Sequence, residues 1–255
     1  MVHLVLLAMG KSDAAVVANM LSLLEKTAYG NLRITLVGDV TASSLPSDWA
    51  ARFEFSQADD LDSIDRRLLD GDDLVCVCDV RMVPIDDGWL HLLVRHALQP
   101  NVGLVGPAWF ARDGSVRAVG LAIAPPDRAV PVLPGDRLGD FGYFGWLLLT
   151  RTVSALSGGC LVTQLTQLRA AGGLRITQEA AWSVDLSFRM SAMGARNLVV
   201  PRAAVYDDVG EYGCPIDVKL DGRSLTDARY SPNLSLTDRA ADFGYAHPPR
   251  IDPLG

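Results

Sequence analysis

Asp79 and Arg81 stand two residues apart at the end of an apolar run, in the stretch VCVCDVRMVP from Val75 to Pro84. The run predicts a buried strand, and ligands of α/β sheets gather beyond the carboxyl ends of the strands. We therefore expect the Asp79 carboxylate to contact a ligand, with capping of the following turn as the alternative. The planar guanidinium of Arg81 suits two phosphate oxygens at once. Its alternative is a salt bridge to a nearby aspartate, Asp79, Asp86 or Asp87.

Further acids lie on predicted elements of the C-terminal half. Asp185 precedes Arg189 by four residues on a predicted helix, so it either forms a surface ion pair or faces a cleft. Asp207 and Asp208 follow a predicted strand. With Asp79 they would offer the oxygen ligands that Mg²⁺ and Mn²⁺ prefer, and a solvated strand end is the alternative.

Strand and helix signals alternate in the first third of the chain and position these side chains. Four apolar stretches predict strands, at residues 3–9, 32–39, 53–55 and 72–80. Helical patterns fall between them, and apolar strands separated by helices are typical of a mostly parallel sheet with helices on both faces. The carboxyl ends of these strands predict one rim for ligands.

The middle of the chain has a different pattern. Residues 101–126 predict a small antiparallel hairpin region with a turn at Arg112–Ser115. A loop rich in Pro, Gly and Asp at residues 125–142 is expected to face a substrate. In a predicted strand at residues 153–163, the pair Gly158-Gly159 either permits a close approach of the backbone to a sugar or another strand, or marks a β-bulge.

Trp146 and Tyr143 lie beside the long loop and form either an apolar platform for an acceptor or part of the core. Residues 195–208 predict a last pair of strands. From Gly210 the chain is polar and contains several prolines, which predicts a tail folded over the domain.

The bulk composition disfavours some classes of partner. The chain has 255 residues and a net charge of −7, so general binding to nucleic acid or anionic membrane is not expected. No stretch approaches the ~20 apolar residues of a membrane span, and the N-terminus lacks a signal-peptide pattern. The cysteines show no zinc spacing and are expected to be buried thiols: Cys76, Cys78, Cys160 and Cys214. We expect a cytoplasmic protein whose partner is a small molecule.

Five segments resemble, in order, segments of the family 2 glycosyltransferases with the GT-A fold. They are CDVRMVPIDDGWLHLLVRHA, GLVGPAWFARDGSVRAVGLAIA, VSALSGGCLVTQLTQLRAAGGL, SVDLSFRMSAMGARNLVVPRAAVYDD and ARYSPNLSL. In such enzymes the first typically has an acid pair, the third a double glycine, and the fourth an acid-bearing helix and a strand that ends in a histidine. The likeness extends over most of the chain.

The resemblance implies one GT-A-like domain at residues 1–210, with a nucleotide-binding half at 1–100 and an acceptor half at 101–210. A C-terminal tail at 211–255 would pack on this domain. The implied enzyme is an inverting transferase that moves a hexosyl or deoxyhexosyl group from a nucleoside diphosphate sugar to the hydroxyl of an unidentified acceptor. A general base deprotonates the acceptor, and a divalent metal usually compensates the charge of the leaving diphosphate.

Position by position, the resemblance assigns Asp185 and Asp79 to catalysis, and Asp79 with Asp207 to a metal ion, Mn²⁺ or Mg²⁺. We expect substrate-binding roles for Asp39, Arg81, Gly158, Gly159 and Trp146. Asp39 would hold the nucleoside base or the ribose, and hydrogen bonding within its own loop is the alternative.

The sequence departs from the family's pattern at three charged positions. Arg81 stands at the second acid of the pair, and Asp207 at the histidine. Ser183 stands at the acid usually assigned as base, with Asp185 two residues further on. Because a guanidinium cannot ligate a metal ion, Arg81 can instead supply the compensating charge itself, without a metal. A catalytically inactive relative that binds a sugar nucleotide or a protein partner is the alternative function.

Overall fold

Apolar runs form most of the strands, as the periodicity predicts. A computed structural model describes residues 1–8, 13–38, 54–58, 74–175, 181–208, 210–218 and 227–246. Its strands are β1 (Val2–Leu7), β2 (Leu32–Val37), β3 (Glu54–Ala58), β4 (Leu74–Asp79), β5 (Val83–Pro84), β6 (Val102–Phe110), β7 (Val116–Ala118), β8 (Leu121–Ala124), β9 (Arg128–Pro131), β10 (Arg151–Val153), β11 (Cys160–Gln164), β12 (Arg196–Tyr206), β13 (Ile216–Asp217), β14 (Leu234–Leu236) and β15 (Ala241–Tyr245). Its α-helices are α1 (Asp13–Glu25), α2 (Trp89–Ala97), α3 (Leu165–Ala170) and α4 (Trp182–Ala192).

The central sheet has ten of the described strands, in the order β10-β12-β6-β11-β4-β1-β2-β3, with β5 beside β12 and β7 beside β6. β1 is parallel to β2 and β4, β2 to β3, and β6 to β12. β11 is antiparallel to both β4 and β6, so β4 and β6 run in the same direction. The prediction of a mostly parallel central sheet is confirmed. The carboxyl ends of β1, β4, β6 and β12 therefore lie at one edge of the sheet.

Helices cover both faces of this sheet, as predicted. Successive residues of a strand point to opposite sides, so two neighbours in β4 show which helices lie on each face. Cys76 of β4 belongs to a buried apolar cluster that includes Met20 of α1 and Trp89 of α2. Its neighbour Val77 belongs to another cluster, which includes Leu186 of α4. Within the described residues, no helix is both long and apolar enough to cross a membrane.

The predicted hairpin is confirmed, since β6 and β7 pair antiparallel across the turn at Arg112–Ser115. Two smaller sheets follow, one of β8, β9 and β13 and one of β14 and β15. The prediction of a long loop at residues 125–142 is wrong in part, because Arg128–Pro131 forms a strand between β8 and β13.

Two strand predictions in the second half are also wrong in part. The predicted strand at residues 153–163 divides into β10 and β11, and the stretch between them crosses from the outer edge of the sheet to its middle. The predicted pair at residues 195–208 is a single strand, β12. Pro201 cannot donate to a ladder, and the strand accommodates it by a register irregularity between Val200 and Ala204 instead of a turn.

One buried carboxylate ties the C-terminal part of the chain to the sheets. Asp227 accepts hydrogen bonds from the backbone N–H of Ile123 at 2.7 Å and from the Ser154 hydroxyl at 2.5 Å. It also accepts from the backbone N–H groups of Arg229 and Tyr230, at 2.7 and 3.0 Å. Four donors compensate the cost of burying this charge.

Candidate functional site

The edge of the sheet at which the strands end carries several of the predicted site residues. Asp79 is the last residue of β4, and because β11 runs beside β4, its N–H donates to the carbonyl oxygen of Gly159 at 2.9 Å. Asp207 follows β12, and its N–H donates to the carbonyl oxygen of Phe110 at 2.8 Å. The topology thus places Asp79, Gly159 and Asp207 on one rim.

Arg81 folds back onto Asp79. Its backbone N–H donates to Oδ1 at 2.7 Å, and its Nε lies 2.9 and 3.0 Å from the two carboxylate oxygens. Its Nη2 donates to Oδ2 at 2.5 Å. The two side chains are only 15% and 12% exposed, so water screens the ion pair weakly. The hydrogen bond to Asp79 is the main cause that raises the pKa of Arg81 above its ordinary value. Arg81 is therefore a fixed cation at the strand end.

Glu211 and Tyr212 complete what we call the strand-end cluster: Asp79, Arg81, Glu211 and Tyr212. The carboxylate of Glu211 accepts from Nη1 of Arg81 at 3.0 Å and from Nη2 at 2.7 Å. The Tyr212 hydroxyl donates to Oδ2 of Asp79 at 2.5 Å, and its ring lies 4.4 Å from that of Trp109. Burial, and after it the charge of Asp79, raises the pKa of Tyr212. The phenol therefore keeps its proton and remains a hydrogen-bond donor.

Glu211 and Tyr212 are not among the predicted site residues. Both lie in the predicted tail, GEYG follows no strand or helix period, and Glu211 is 130 residues from Arg81. The available signal was local: an acid next to an aromatic residue, between two glycines and shortly after a strand end.

Asp207 caps the turn that carries these two residues. Its Oδ1 accepts from the N–H of Gly210 at 2.8 Å and its Oδ2 from the N–H of Tyr212 at 2.9 Å. Its neighbour Asp208 forms an exposed ion pair with Arg112 at 2.6 Å. The capping explains why an acid is suited to this position without any metal.

These contacts test the fit of a divalent metal ion. Both carboxylate oxygens of Asp79 accept hydrogen bonds from Arg81 or Tyr212, and both oxygens of Asp207 accept backbone N–H groups. In the described part of the chain, no three His, Cys, Asp or Glu side chains are grouped so as to hold a metal ion. In this arrangement the residues assigned to the metal do not fit it.

The two glycines of the predicted sugar site pack against aromatic rings. A Cβ on Gly159 would lie 2.5 Å from the Trp109 ring and 2.7 Å from the Tyr212 ring. A Cβ on Gly158 would lie 3.0 Å from the ring of Trp182. Glycine at 159 thus permits Tyr212 to reach Asp79, which is a structural reason for the double glycine.

A cavity of about 890 Å³ adjoins the strand-end cluster. Its lining includes Glu211, the predicted catalytic residue Asp185, and apolar side chains such as Val184 and Phe188 of α4. Asp185 lies in the first turn of α4, and its carboxylate accepts from Nε of Arg189 at 2.8 Å. The predicted ion pair is therefore present, and Asp185 lines the cavity at the same time.

Trp146 belongs to an aromatic group beside the small sheets. Its ring lies 4.4 Å from that of Phe243, and the guanidinium carbon of Arg151 lies 3.9 Å from its centre. Tyr143 stacks on Phe243 at 4.8 Å. Trp146 is not among the residues that line the cavity, so its acceptor role stays a prediction.

The remaining predicted residues have varied locations. Asp39 lies outside the described residues, and Ser183 is buried within α4.

The expectation of four buried thiols is wrong at Cys214, which is exposed at the cavity wall, whereas the other three cysteines are buried in β4 and β11. Cys214 lies between Gly213 and β13, outside the central sheet.

No family model matches the chain. The uncharacterized protein y4gI of Sinorhizobium fredii is 27% identical to this chain, in an alignment that covers 84% of this chain and 27% of that protein. The chain therefore spans well under half of this curated relative.

Two solved structures have a similar fold. The mannosyltransferase PcManGT from Pyrobaculum calidifontis, in complex with GDP-Man and Mn²⁺, has a TM-score of 0.54 at 16% identity, over 83% of this chain and 58% of that one. The structure of GalNAc-T7 with UDP, GalNAc and Mn²⁺ has a TM-score of 0.54 at 12% identity, over 81% of this chain and 43% of that one. Both are glycosyltransferases, and the likeness shows that this chain has a GT-A-like fold.

Proposed function

We propose that this chain is an inverting glycosyltransferase that takes a hexosyl or deoxyhexosyl group from a nucleoside diphosphate sugar. The donor's diphosphate binds Arg81, and the acceptor hydroxyl enters the cavity beside Asp185. Three buried free thiols suit a reducing compartment, which supports a cytoplasmic location.

One observation carries the proposal. The Arg81 guanidinium is fixed by a buried carboxylate, and its Nη1 and Nη2 groups already bind both oxygens of a second carboxylate, that of Glu211. Two oxygens of a diphosphate fit the same fork. This fork lies at the strand ends of a GT-A-like fold and beside a cavity large enough for a small acceptor.

The reaction requires two charged groups in different places. Asp185 accepts the proton of the acceptor hydroxyl. At the same time the acceptor oxygen forms a bond to the anomeric carbon, from the face opposite the diphosphate. The bond between that carbon and the diphosphate oxygen breaks, and the configuration inverts. Arg81 stabilises the negative charge that develops on the leaving diphosphate.

We further propose that the transfer needs no metal ion. Both similar structures contain Mn²⁺, which is a statement about those proteins. In this chain the oxygens of Asp79 and Asp207 accept internal hydrogen bonds, and Arg81 already supplies a positive charge at the strand end.

Thermal denaturation with a panel of nucleoside diphosphates, in excess chelator, tests the donor site. We expect at least one to raise the melting temperature of the wild type, and Arg81→Ala and Asp79→Ala to abolish that rise. Arg112→Ala is the matched control, because its guanidinium pairs with Asp208 instead of Asp79. The absence of a rise with every nucleoside diphosphate, with and without Mn²⁺, would contradict the proposal.

A second candidate is a relative that binds a sugar nucleotide without transferring the sugar. It is favoured by the ion pairs of both predicted catalytic acids, Asp79 with Arg81 and Asp185 with Arg189. Nucleotide binding without release of diphosphate across a broad panel of acceptors would support this candidate, and turnover would exclude it.

A further inference from the structure

The carboxylate of Glu211 occupies the outer side of the Arg81 guanidinium. Two hydrogen bonds hold it there, at 3.0 Å from Nη1 to Oε1 and at 2.7 Å from Nη2 to Oε2. An arginine binds two oxygens of a phosphate with the same pair of N–H groups. Asp79 lies on the inner side of the guanidinium, where it accepts hydrogen bonds from Nε and from Nη2, and Nη2 also donates to Glu211. A diphosphate that approaches Arg81 from the solvent therefore meets the negatively charged Glu211 carboxylate, which already occupies the two N–H groups that the diphosphate would bind.

The two carboxylates around Arg81 differ in how firmly they are held. Asp79 is 12% exposed and also accepts from Tyr212, whereas the Glu211 side chain is 55% exposed. An exposed ion pair contributes little to stability, and a ligand of higher charge displaces it at low cost. Asp79 is therefore the permanent partner, and Glu211 is the exchangeable one.

The backbone around Glu211 is anchored on both sides. Asp207 accepts from the N–H groups of Gly210 and Tyr212, and β13 pairs with β9 a few residues further on. The Glu211 carboxylate is thus tethered next to Arg81 and has a high effective concentration there. Because Glu211 also lines the cavity, a carboxylate that leaves Arg81 remains at the wall where the acceptor would bind.

We propose that Glu211 is a built-in competitor for the donor's diphosphate, which mimics two phosphate oxygens on Arg81 and must leave before the donor can bind. The inference rests on the proposed function and adds to it a means of selecting the ligand. An anion displaces Glu211 only if its charge is high and it can bind both N–H groups, which favours a diphosphate over inorganic phosphate or a carboxylate metabolite. The open site is a minority state, and the apparent affinity of any oxyanion is reduced by its population.

Calorimetric titration with inorganic pyrophosphate in excess chelator, repeated with a nucleoside diphosphate, tests this inference. Glu211→Gln keeps the size of the side chain and removes its charge. If about a tenth of the wild type is open, this variant binds pyrophosphate about tenfold more tightly. Glu211→Ala is expected to tighten binding in the same direction, and Arg81→Ala in the Glu211→Gln background abolishes it.

Asp217→Asn is the matched control. Asp217 lines the same cavity, but its carboxylate pairs with Arg128 at 2.6 Å, so its removal leaves pyrophosphate binding at the wild-type level. Equal tightening in Asp217→Asn would show a general charge effect and overturn the inference.

Two failures can be told apart. If wild type and both Glu211 variants bind equally, and Arg81→Ala removes the binding, the competitor role is overturned and the proposed function stands. If neither the wild type nor a Glu211 variant binds pyrophosphate or any nucleoside diphosphate, the donor site itself is absent, and both proposals fall.

Discussion

Arg81 is the residue on which the proposed chemistry of the site depends. It directly follows the end of β4, and it is held by the carboxylate of Asp79 from its own strand end. The Arg81 guanidinium therefore presents positively charged N–H donors at a fixed position, which is what a leaving diphosphate requires. Its planar geometry matters as well as its charge, because two N–H groups must meet two oxygens.

Arg81→Lys separates these two properties. Lysine keeps the charge but offers no planar fork, so we expect nucleoside diphosphate affinity to fall at least about tenfold. Calorimetric titration of the variant beside Arg81→Ala measures the loss. If Arg81→Lys binds as tightly as the wild type, the charge alone is sufficient, and recognition by the fork is wrong.

Tyr212→Phe removes a hydroxyl that bonds to Asp79 from outside its strand. The buried carboxylate loses a donor, and we expect the free energy of unfolding to fall by about 1 to 3 kcal/mol. Urea denaturation measures it, with Tyr143→Phe as the control in an exposed, stacked tyrosine. Equal unfolding free energies for the two variants would contradict the role given to this hydrogen bond.

At the scale of elements, β11 brings the site together. It enters antiparallel between β4 and β6 and places Gly159 beside Asp79. The glycine leaves room for the rings of Trp109 and Tyr212, which a methyl group would meet at 2.5 and 2.7 Å.

Gly159→Ala should therefore destabilise the protein by about 1 to 3 kcal/mol, because the crowded rings must shift. The control is Gly30→Ala, where a methyl group meets nothing within 4 Å. Thermal and urea denaturation of both variants measure the difference. An unchanged unfolding free energy for Gly159→Ala would show that the rings have more freedom than the packing indicates.

Asp207→Asn tests the cap that holds the turn with Glu211 and Tyr212. An amide has a single acceptor oxygen for two backbone N–H groups, so we expect the turn to loosen and the exposed thiol of Cys214 to react several-fold faster. Mass spectrometry after a thiol reagent measures the rate at Cys214. Asp208→Asn is the control, and equal rates in the two variants would contradict the capping role.

The sequence predicted the strands of the central sheet well, but it predicted only part of the strand-end cluster. Apolar runs such as 72–80 and 32–39 specify buried strands by themselves, and their alternation with helical patterns specified a mostly parallel sheet. Asp79 and Arg81 could be located from the strand end alone. Glu211 and Tyr212 could not, because their contacts to β4 cross 130 residues or more and their own segment is irregular.

At the scale of the whole molecule, the fold and the charge give complementary information. The GT-A-like fold places strand ends, cavity and Asp185 on neighbouring parts of one surface. Because the chain has a net charge of −7, it repels an anionic donor as a whole, and a fixed cation at the strand ends offsets this repulsion locally. The division into residues 1–210 and 211–255 stays a prediction.

A turnover assay with a panel of nucleoside diphosphate sugars, run in excess chelator on wild type and Arg81→Ala, tests the central claim most directly. We predict that the wild type releases a nucleoside diphosphate from at least one donor in the presence of an acceptor panel, and that Arg81→Ala is slower by about a hundredfold or more. Release that requires Mn²⁺ and persists in Arg81→Ala would contradict the account, as would the absence of release from every donor.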